Sequence, residues 1–299
     1  MSTGQIHDLG YKRYVGSRRS VGTRWRVIMR HQIATAWRGW WRFKMWLIAA
    51  LITTASIGAV LYFMFDRVMK AVGGVGGQAV VKFADALVPF STVFYCKVGF
   101  AVSLTVCATL VAGDLQSGAF TFYFARSARP IDYILGKLAG LAVLLAVIMA
   151  VGPLLLAGVR LGLADDLDQL IGLLPMLGKE LVVGVVGTLI YAVVPLGFSA
   201  LTDNKRHALA LWAVYYVVVG SMAGGIAYAT TPAVAAIDLA SCLHAISLHL
   251  YDQRFGGARS PDIPTIAAVI SVLGHVAAAI AVVFWRVRRA QQTGVGGSS

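Results

Sequence analysis

The sequence has little negative charge and few charged residues of either sign. Only 13 of its 299 residues are Asp or Glu, against 26 Lys and Arg, and charged residues make up 13% of the chain. An ordinary soluble domain is about 25% charged, so this chain has too few polar side chains to cover a soluble surface. With 58% hydrophobic residues and a mean hydropathy of +0.75, the composition predicts an integral membrane protein with a single membrane domain.

Motifs of common catalytic chemistry are also absent. The string nearest to a Walker A phosphate loop, ILGKLAG, lacks the upstream glycine and the Ser or Thr after the lysine. The chain has no G-x-S-x-G, no H-E-x-x-H and no C-x-x-C. No row of acidic residues crosses the apolar segments, as a proton or sodium relay would require. We therefore predict a non-enzyme without a bound cofactor, which would need a separate energy source for active transport.

Cysteine is scarce, and its spacing indicates no metal site. The three residues, Cys96, Cys107 and Cys242, are an odd number in a very apolar chain, which argues against a disulfide framework. We predict that they are small buried fillers. The string CLHAISLH would offer Cys242, His244 and His249 to a metal, but the spacing matches no zinc signature. The acidic string ADDLDQ could bind a hard cation, although a solvated loop is the simpler interpretation.

The apolar residues form runs of the length that a membrane-spanning helix needs, about 20 residues. The runs are rich in Leu, Val, Ala and Ile without strict alternation, which favours buried helices over barrel strands. The predicted fold is an all-α integral membrane protein with a six-helix transmembrane domain at 44–290. The six predicted spans are Leu47–Phe65, Thr92–Ala112, Leu138–Val159, Leu181–Leu201, Ala208–Tyr228 and Ile263–Trp285.

Basic residues are concentrated in alternate connecting segments. The segments 1–46, 113–137, 202–207 and 286–299 hold 18 of the 26 Lys and Arg residues but only 4 of the 13 acidic residues. This bias predicts that both termini are cytoplasmic. Because the positive charge flanks apolar spans, the net charge of +13 indicates membrane topology rather than nucleic-acid binding.

Residues 24–43 predict an amphipathic helix that lies in the membrane interface, behind a basic cytoplasmic leader at 1–23. On a helical projection Trp25, Trp37 and Trp40 fall on one face and most arginines on the other, as in helices that lie at headgroup depth. The alternative is an ordinary cytoplasmic flank whose charge only sets topology. The residues predicted to contact the membrane are Trp25, Arg30, Trp37, Arg38, Trp40 and Arg42.

The remaining connections are predicted to be external, and the end of the chain to be flexible. The external segments are 66–91, with a glycine-rich joint GGVGG, then 160–180, which contains ADDLDQ, and 229–262. The last of these begins with an apolar stretch too short to span, which predicts a re-entrant or interfacial helix covered by protein. Residues 291–299 are predicted to be a flexible tail.

The polar insert DLQSGAFTFYFARSARPIDYILGK, in the segment 113–137, has features of a compact helix–turn–helix. Asp114 ends the apolar run, and Gly118 allows a turn before an aromatic run. Pro130 suits the first turn of a new helix, and Asp132 lies where a carboxylate favours the helix dipole. Pressure on such an elbow would be transmitted directly to the second and third spans.

This insert resembles the cytoplasmic loop of permease subunits of type-2 ATP-binding-cassette (ABC) exporters. Those proteins have an acidic residue and a glycine after the second span, an aromatic or leucine run, an ARP-like step and a Y-x-x-G-K string before the third span. Here ARSARP has two more residues than the compact form. The residues that carry the resemblance are Asp114, Gly118, the aromatic run Phe120–Phe124, Arg126, Arg129, Pro130, Tyr133, Gly136 and Lys137. The predicted coupling-loop site comprises these positions, with Tyr123 from the aromatic run, and Asp132.

The resemblance implies a permease subunit of a bacterial inner (cytoplasmic) membrane exporter. Two copies of a separate ABC ATPase, with their ATP and Mg, would bind on the cytoplasmic side, and a second permease copy would complete the pore. The loop 113–137 would act as the coupling helix and residues 24–43 as the connecting helix. Membrane lipid would be a further partner, and nucleic acid would not.

Two other classes of function stay open at the level of sequence. Lys97 and His275 lie inside predicted spans, where an ionisable residue suggests a functional site, so the chain could be a self-contained secondary carrier or channel. Lys97 could instead extend outward to the interface, and a neutral His275 could form a hydrogen bond between helices. The third class is a membrane scaffold or sensor that transports nothing.

Overall fold

The protein is a bundle of helices in a computed structural model that describes residues 21–68, 71, 74–125, 128–252 and 262–295. Within these residues every regular element is helical, without a strand. Six stretches are long and apolar enough to cross a membrane. The helical class and the presence of six helices of spanning length and composition are therefore confirmed. The six spans are Trp40–Phe63, Val80–Gln116, Pro130–Leu161, Leu167–Ala200, Lys205–Ala229 and Thr265–Gln292.

The helices that make up the bundle are numbered here in chain order. They are α1 Arg24–Arg38, α2 Met45–Phe63, α3 Gly74–Val102, α4 Leu110–Gln116, α5 Ala119–Ala125, α6 Pro130–Ala146, α7 Gly152–Leu161, α8 Leu167–Leu173, α9 Pro175–Ala200, α10 Lys205–Val214, α11 Gly220–Ala229, α12 Leu239–Leu250 and α13 Thr265–Val295.

Several spans are interrupted by a single wider π-helical turn. Such turns join α3 to α4 at Ser103–Cys107, α6 to α7 at Val147–Val151 and α10 to α11 at Tyr215–Val219. A π turn inserts one residue into the helical repeat and re-aims the side chains that follow it. Trp212, just before the third of these turns, donates its indole N–H to the Ser103 hydroxyl at 2.8 Å. Two of the interrupted spans are thus joined at their irregular points.

The fourth span is the centre of the bundle and the most buried of the six, whereas the fifth is the least buried. The glycines of the fourth span allow neighbouring helices to approach closely. A Cβ at Gly184 would lie 2.6 Å from Cα of Ala150, and one at Gly197 would lie 2.6 Å from Cβ of Ala279. Small residues at such crossings let backbones pack without intervening side chains.

The predicted external segments contain more helix than the sequence indicated. Residues 74–91 belong to α3, so the joint GGVGG is partly helical. Packing explains this difference, because Ala86 and Val88 are buried and Asp85 pairs with Arg160 at 2.6 Å. Burial and pairing compensate for the low helix propensity of glycine. The acidic string 164–169 leads into α8 at Leu167, where the Asp166 carboxylate caps the helix by accepting from the Gln169 backbone amide at 2.7 Å.

The apolar helix predicted in the last external segment is α12, which is too short to span. The Asp238 carboxylate caps its first turn by accepting from the Ala240 and Ser241 amides at 3.1 and 3.3 Å. Leu243 lies against Gly187 in the middle of α9, so α12 reaches the bundle interior. Cys242, Ile246 and Ser247 are also buried, and the re-entrant or interfacial position of α12 stays a prediction. Residues 253–261 of this segment lie outside the described residues.

Candidate functional site

The polar insert between the second and third spans, residues 113–137, is called the coupling loop below. The second span ends with α4 at Gln116, and Gly118 then turns the chain with a φ of +66°. A left-handed backbone of this kind is accessible to glycine with little strain. The turn leads directly into α5, so the polar break in the sequence is a tight corner between two helices.

The aromatic side chains of α5 fasten it to the start of α6. The Phe120 ring is almost fully buried and lies 4.9 Å from the Tyr133 ring and 5.6 Å from the Phe124 ring, between centroids. Tyr123 meets Tyr133 edge to face at 5.3 Å. Phe122 points the other way and is 74% exposed. The short helix is therefore held on one side and presents one aromatic ring outward.

The third span begins at Pro130, in the first turn of α6, where a proline costs no backbone hydrogen bond. The Asp132 carboxylate accepts from the Arg129 amide at 3.1 Å and so satisfies a donor at the helix start. The Arg129 side chain is exposed. Arg126, predicted to make a partner contact, lies outside the described residues.

Three of the predicted coupling-loop residues meet in one polar cluster. The Asp114 carboxylate accepts from the Tyr133 hydroxyl at 2.7 Å and pairs with the Lys137 ammonium at 3.0 Å. Lys137 is 4% exposed, and its Nζ donates to the Gln32 side chain of α1 at 3.4 Å. Burial, and then the Asp114 charge, raise the pKa of the Tyr123 phenol. The cluster locks the end of the second span to the beginning of the third.

The helix α1 packs against α6 at two glycines one turn apart. A Cβ at Gly136 would lie 2.6 Å from Cβ of Ile28 and 2.8 Å from the Trp25 carbonyl oxygen. A Cβ at Gly140 would lie 3.0 Å from Cβ of Gln32. Only a residue without a side chain permits this separation. Gly136 was predicted as a coupling-loop residue from the resemblance, but its contact with α1 was not predicted, and Gly140 and Gln32 were missed.

The predicted interfacial helix 24–43 is divided in two. The helix α1 ends at Arg38, because Gly39 adopts an extended backbone with φ −87° and ψ 123°. Trp40 and Arg42 then belong to the π turn that starts the first span, and the Arg42 carbonyl accepts from the Thr105 hydroxyl at 2.9 Å. The position of α1 in the membrane interface stays a prediction.

The side chains predicted to contact lipid lie mostly on the outside of this segment. Trp25 is half-buried under α6, whereas Trp37 and Trp40 are about half exposed, at 48% and 55%. Trp41, which was not predicted, is exposed further, at 70%. The three predicted arginines Arg30, Arg38 and Arg42 are all exposed.

A second connection, between the fourth and fifth spans, reaches the same end of the bundle. The Lys205 amide donates to the Gln116 side chain at 3.4 Å, and the Lys205 stem passes 3.1 Å from where a Cβ of Gly113 would stand. Asp203 in this connection pairs with Arg286 of the sixth span. This end of the bundle, with α1, the coupling loop and residues 201–205, is called the α1 end below.

The two predicted intramembrane residues are not brought together. His275 of the sixth span shares a hydrogen bond with the Tyr215 hydroxyl at 2.9 Å, and its other ring nitrogen lies 2.8 Å from the Ser271 carbonyl. Lys97 is exposed, with its ammonium 5.7 Å from the Phe94 ring centroid. No described contact joins Lys97 to His275.

Two buried polar groups were missed in the sequence. Glu180 of the fourth span has no exposed surface and accepts from the Tyr251 hydroxyl at 2.7 Å, while its second oxygen has no partner among the described residues. Arg160, 1% exposed, pairs with Asp85 and lies 4.2 Å over the Phe65 ring. Both are ionisable residues at the edges of apolar runs, which is the signal that could have found them.

The comparisons with known proteins add no family to this description. No family model matches the chain, and no curated protein matches it. Within the described residues no group of three or more His, Cys, Asp or Glu side chains is placed to hold a metal ion. The three cysteines are buried and unpaired.

Proposed function

We propose that the chain is the membrane-spanning permease subunit of an ABC exporter and is driven by a separate ATPase. The observation that carries the proposal is the construction of the coupling loop. Its helix α5 presents Phe122 outward, while Asp114, Tyr133 and Lys137 fasten the loop to two spans and to α1. This arrangement is expected of a surface that binds a moving partner and transmits its displacement to the spans.

The packing of the α1 end supports the transmission of force. A displacement of α5 would move Tyr133 through the aromatic contacts, and with it Asp114 at the end of the second span. Close packing at Gly136 would move α1 as well. The ATP-bound ATPase must bind one permease conformation better than the other for this motion to do work.

In the proposed complex two copies of the partner ATPase bind ATP and Mg, and the α1 end lies in the cytoplasm of a bacterium. A second copy of the permease subunit completes the translocation pathway. The fifth, first and sixth spans are the least buried of the six, which leaves apolar surface for lipid and for that second copy. The self-contained carrier is not favoured, because Lys97 and His275 do not meet.

Capture of the ATPase tests the proposal. We expect the full chain, purified from its native membrane after mild crosslinking, to carry a stoichiometric ATP-hydrolysing subunit. Phe122→Ala combined with Arg129→Ala should lower that capture at least tenfold, since one exposed aromatic and one exposed arginine are the anchors typical of interface hot spots. Tyr133 is unsuitable for this test because it is fully buried.

The matched control is Phe83→Ala, which removes another exposed ring, 51% exposed against 74% for Phe122, from α3 outside the coupling loop. It should leave ATPase capture unchanged. If the native chain carries no ATPase, or if purified chain alone moves substrate down an ion gradient, the proposed division of labour is wrong.

A further inference from the structure

A cavity of about 360 Å³ opens at the α1 end, between α1, the second span, α6 and the start of α10. Its volume is at the lower end of the range for small-molecule sites, about 300–1,000 Å³. A single lipid headgroup or a small ion fits such a space better than an extended ligand does. The cavity is distinct from the outward face of α5 that is proposed to meet the ATPase.

The charges that line the cavity are unbalanced. Arg42, Lys137 and Lys205 carry positive charges, and Asp114 is the one carboxylate among the lining residues. Asp114 is already engaged by Lys137 at 3.0 Å and by a tyrosine hydroxyl at 2.7 Å. Among the described residues, no acidic side chain pairs with Arg42 or Lys205. Two cations therefore line the cavity without a paired carboxylate in the part of the chain that the structure describes.

The start of α10 places the Lys205 side chain at the cavity. Lys205 is the first residue of α10, so the positive end of that helix dipole lies beside its side chain. Gly113 lets the Lys205 stem pass, since an added Cβ would lie 3.1 Å from Cε. The nearly buried Lys137 forms the inner wall. The cavity thus combines a desolvated cation, two cations without a described acidic partner and a helix start.

We propose that this cavity binds the phosphate of an anionic lipid headgroup. Phosphate accepts several charge-assisted hydrogen bonds at once, which suits a guanidinium and two ammonium groups. A lipid is favoured over free phosphate because Trp37, Trp40 and Trp41, in the same short segment of chain as Arg42, are exposed, and tryptophan concentrates at headgroup depth. Basic cavities between membrane helices recognise headgroups in this way. This inference does not depend on the proposed ATPase partner.

Binding of defined short-chain lipids to the delipidated full chain in detergent tests the inference. We expect dioctanoyl phosphatidylglycerol to bind and to be retained in native mass spectrometry, with dioctanoyl phosphatidylcholine at least fivefold weaker. Arg42→Gln and Lys205→Gln should each weaken phosphatidylglycerol binding about fivefold, the loss of one basic contact near a membrane surface. Lys205→Arg should retain it.

The matched controls are Arg38→Gln and Arg206→Gln, two exposed neighbours that do not line the cavity. Each should change binding less than twofold. Equal losses in the controls, or unchanged binding in both Arg42→Gln and Lys205→Gln, would overturn the proposal. Inorganic phosphate that binds tightly while phosphatidylglycerol does not would overturn the lipid as the source of the phosphate. Circular dichroism and gel filtration verify that each variant is folded.

Discussion

Asp114 is the residue on which the coupling loop depends most directly. It holds a nearly buried lysine and a fully buried tyrosine, and it stands at the corner where the second span ends. A buried lysine without a counter-charge is costly, whereas removing both members of a buried pair is often tolerated. The contribution of Asp114 to stability therefore depends on the presence of Lys137.

We expect Asp114→Asn to destabilise the detergent-solubilised protein by about 1–3 kcal/mol, less than the 3–5 kcal/mol typical of a fully buried pair, because the Asp114 side chain is 19% exposed. Lys137→Met should cost less. The double variant should recover part of the loss, since no charge is left buried. Thermal unfolding of the four proteins measures the coupling energy, and additive losses would contradict the pairing.

A second prediction at the residue scale concerns Glu180, which lies near the end of the fourth span that is remote from the α1 end. The Tyr251 hydroxyl is the one described partner of this fully buried carboxyl group. Burial, and then the Glu180 charge, raise the pKa of Tyr251, so its hydroxyl keeps its proton and remains a donor. Loss of that donor leaves the whole group unsatisfied.

Tyr251→Phe should therefore lower the free energy of unfolding by about 1–3 kcal/mol, read as a lower melting temperature in detergent. Tyr228→Phe is the matched control, because Tyr228 is 56% exposed and should tolerate the change. In a Glu180→Gln background the effect of Tyr251→Phe should shrink, since a neutral amide is cheaper to leave unpaired than a carboxylate. An undiminished effect there would contradict this explanation.

The local residues of the coupling loop were predictable from sequence, whereas their distant partners were not. Asp114, Tyr133 and Lys137 lie within one short segment whose pattern pointed to a structured elbow. Gln32, by contrast, reaches Lys137 across 105 residues of chain, and Lys205 reaches Gln116 across 89. A single sequence contains no spacing rule for contacts of that range, because packing of whole helices decides them.

At the scale of elements, the contact between α1 and α6 determines how motion of the coupling loop would spread. Sequence periodicity indicated that α1 is helical and amphipathic but not that its face with Ile28 and Gln32 meets α6. For the joint GGVGG the sequence prediction itself was wrong. The low helix propensity of glycine predicted a loop, whereas packing keeps a helix from Gly74 onward. Propensity is local, and both outcomes are set by tertiary contacts.

Gly136→Ala tests the α1–α6 contact. The new Cβ would stand 2.6–2.8 Å from Ile28 and from the Trp25 carbonyl, so α1 must move away. We expect a loss of about 1–3 kcal/mol, the usual cost of overpacking, measured by thermal unfolding. Gly178→Ala is the control, because nothing lies within 4 Å of its added Cβ. It should change stability by less than about 1 kcal/mol, and equal losses would contradict the close packing.

At the scale of the whole molecule, six apolar runs were sufficient to predict six spans. Their length and composition follow from the thickness of the bilayer, which is why this part of the fold is visible in the sequence. The ends of the spans were less visible. The second span, for example, runs over Val80–Gln116 rather than Thr92–Ala112, because packing against neighbouring helices extends a helix beyond the apolar run that the sequence shows.

The orientation of the bundle is the prediction that belongs to this scale. The charge bias of the connecting segments places the α1 end in the cytoplasm, so Arg206 should face inward and Asp168 outward. The three native cysteines are buried, which gives a low background for labelling. In intact cells a membrane-impermeant maleimide should modify Asp168→Cys but not Arg206→Cys, and permeabilisation should expose both. Both changes lie at exposed positions, so the fold should tolerate them. The reverse labelling pattern would invert the topology and move the coupling loop to the side where no ATP is available, and the proposed ATPase would then have no surface to bind.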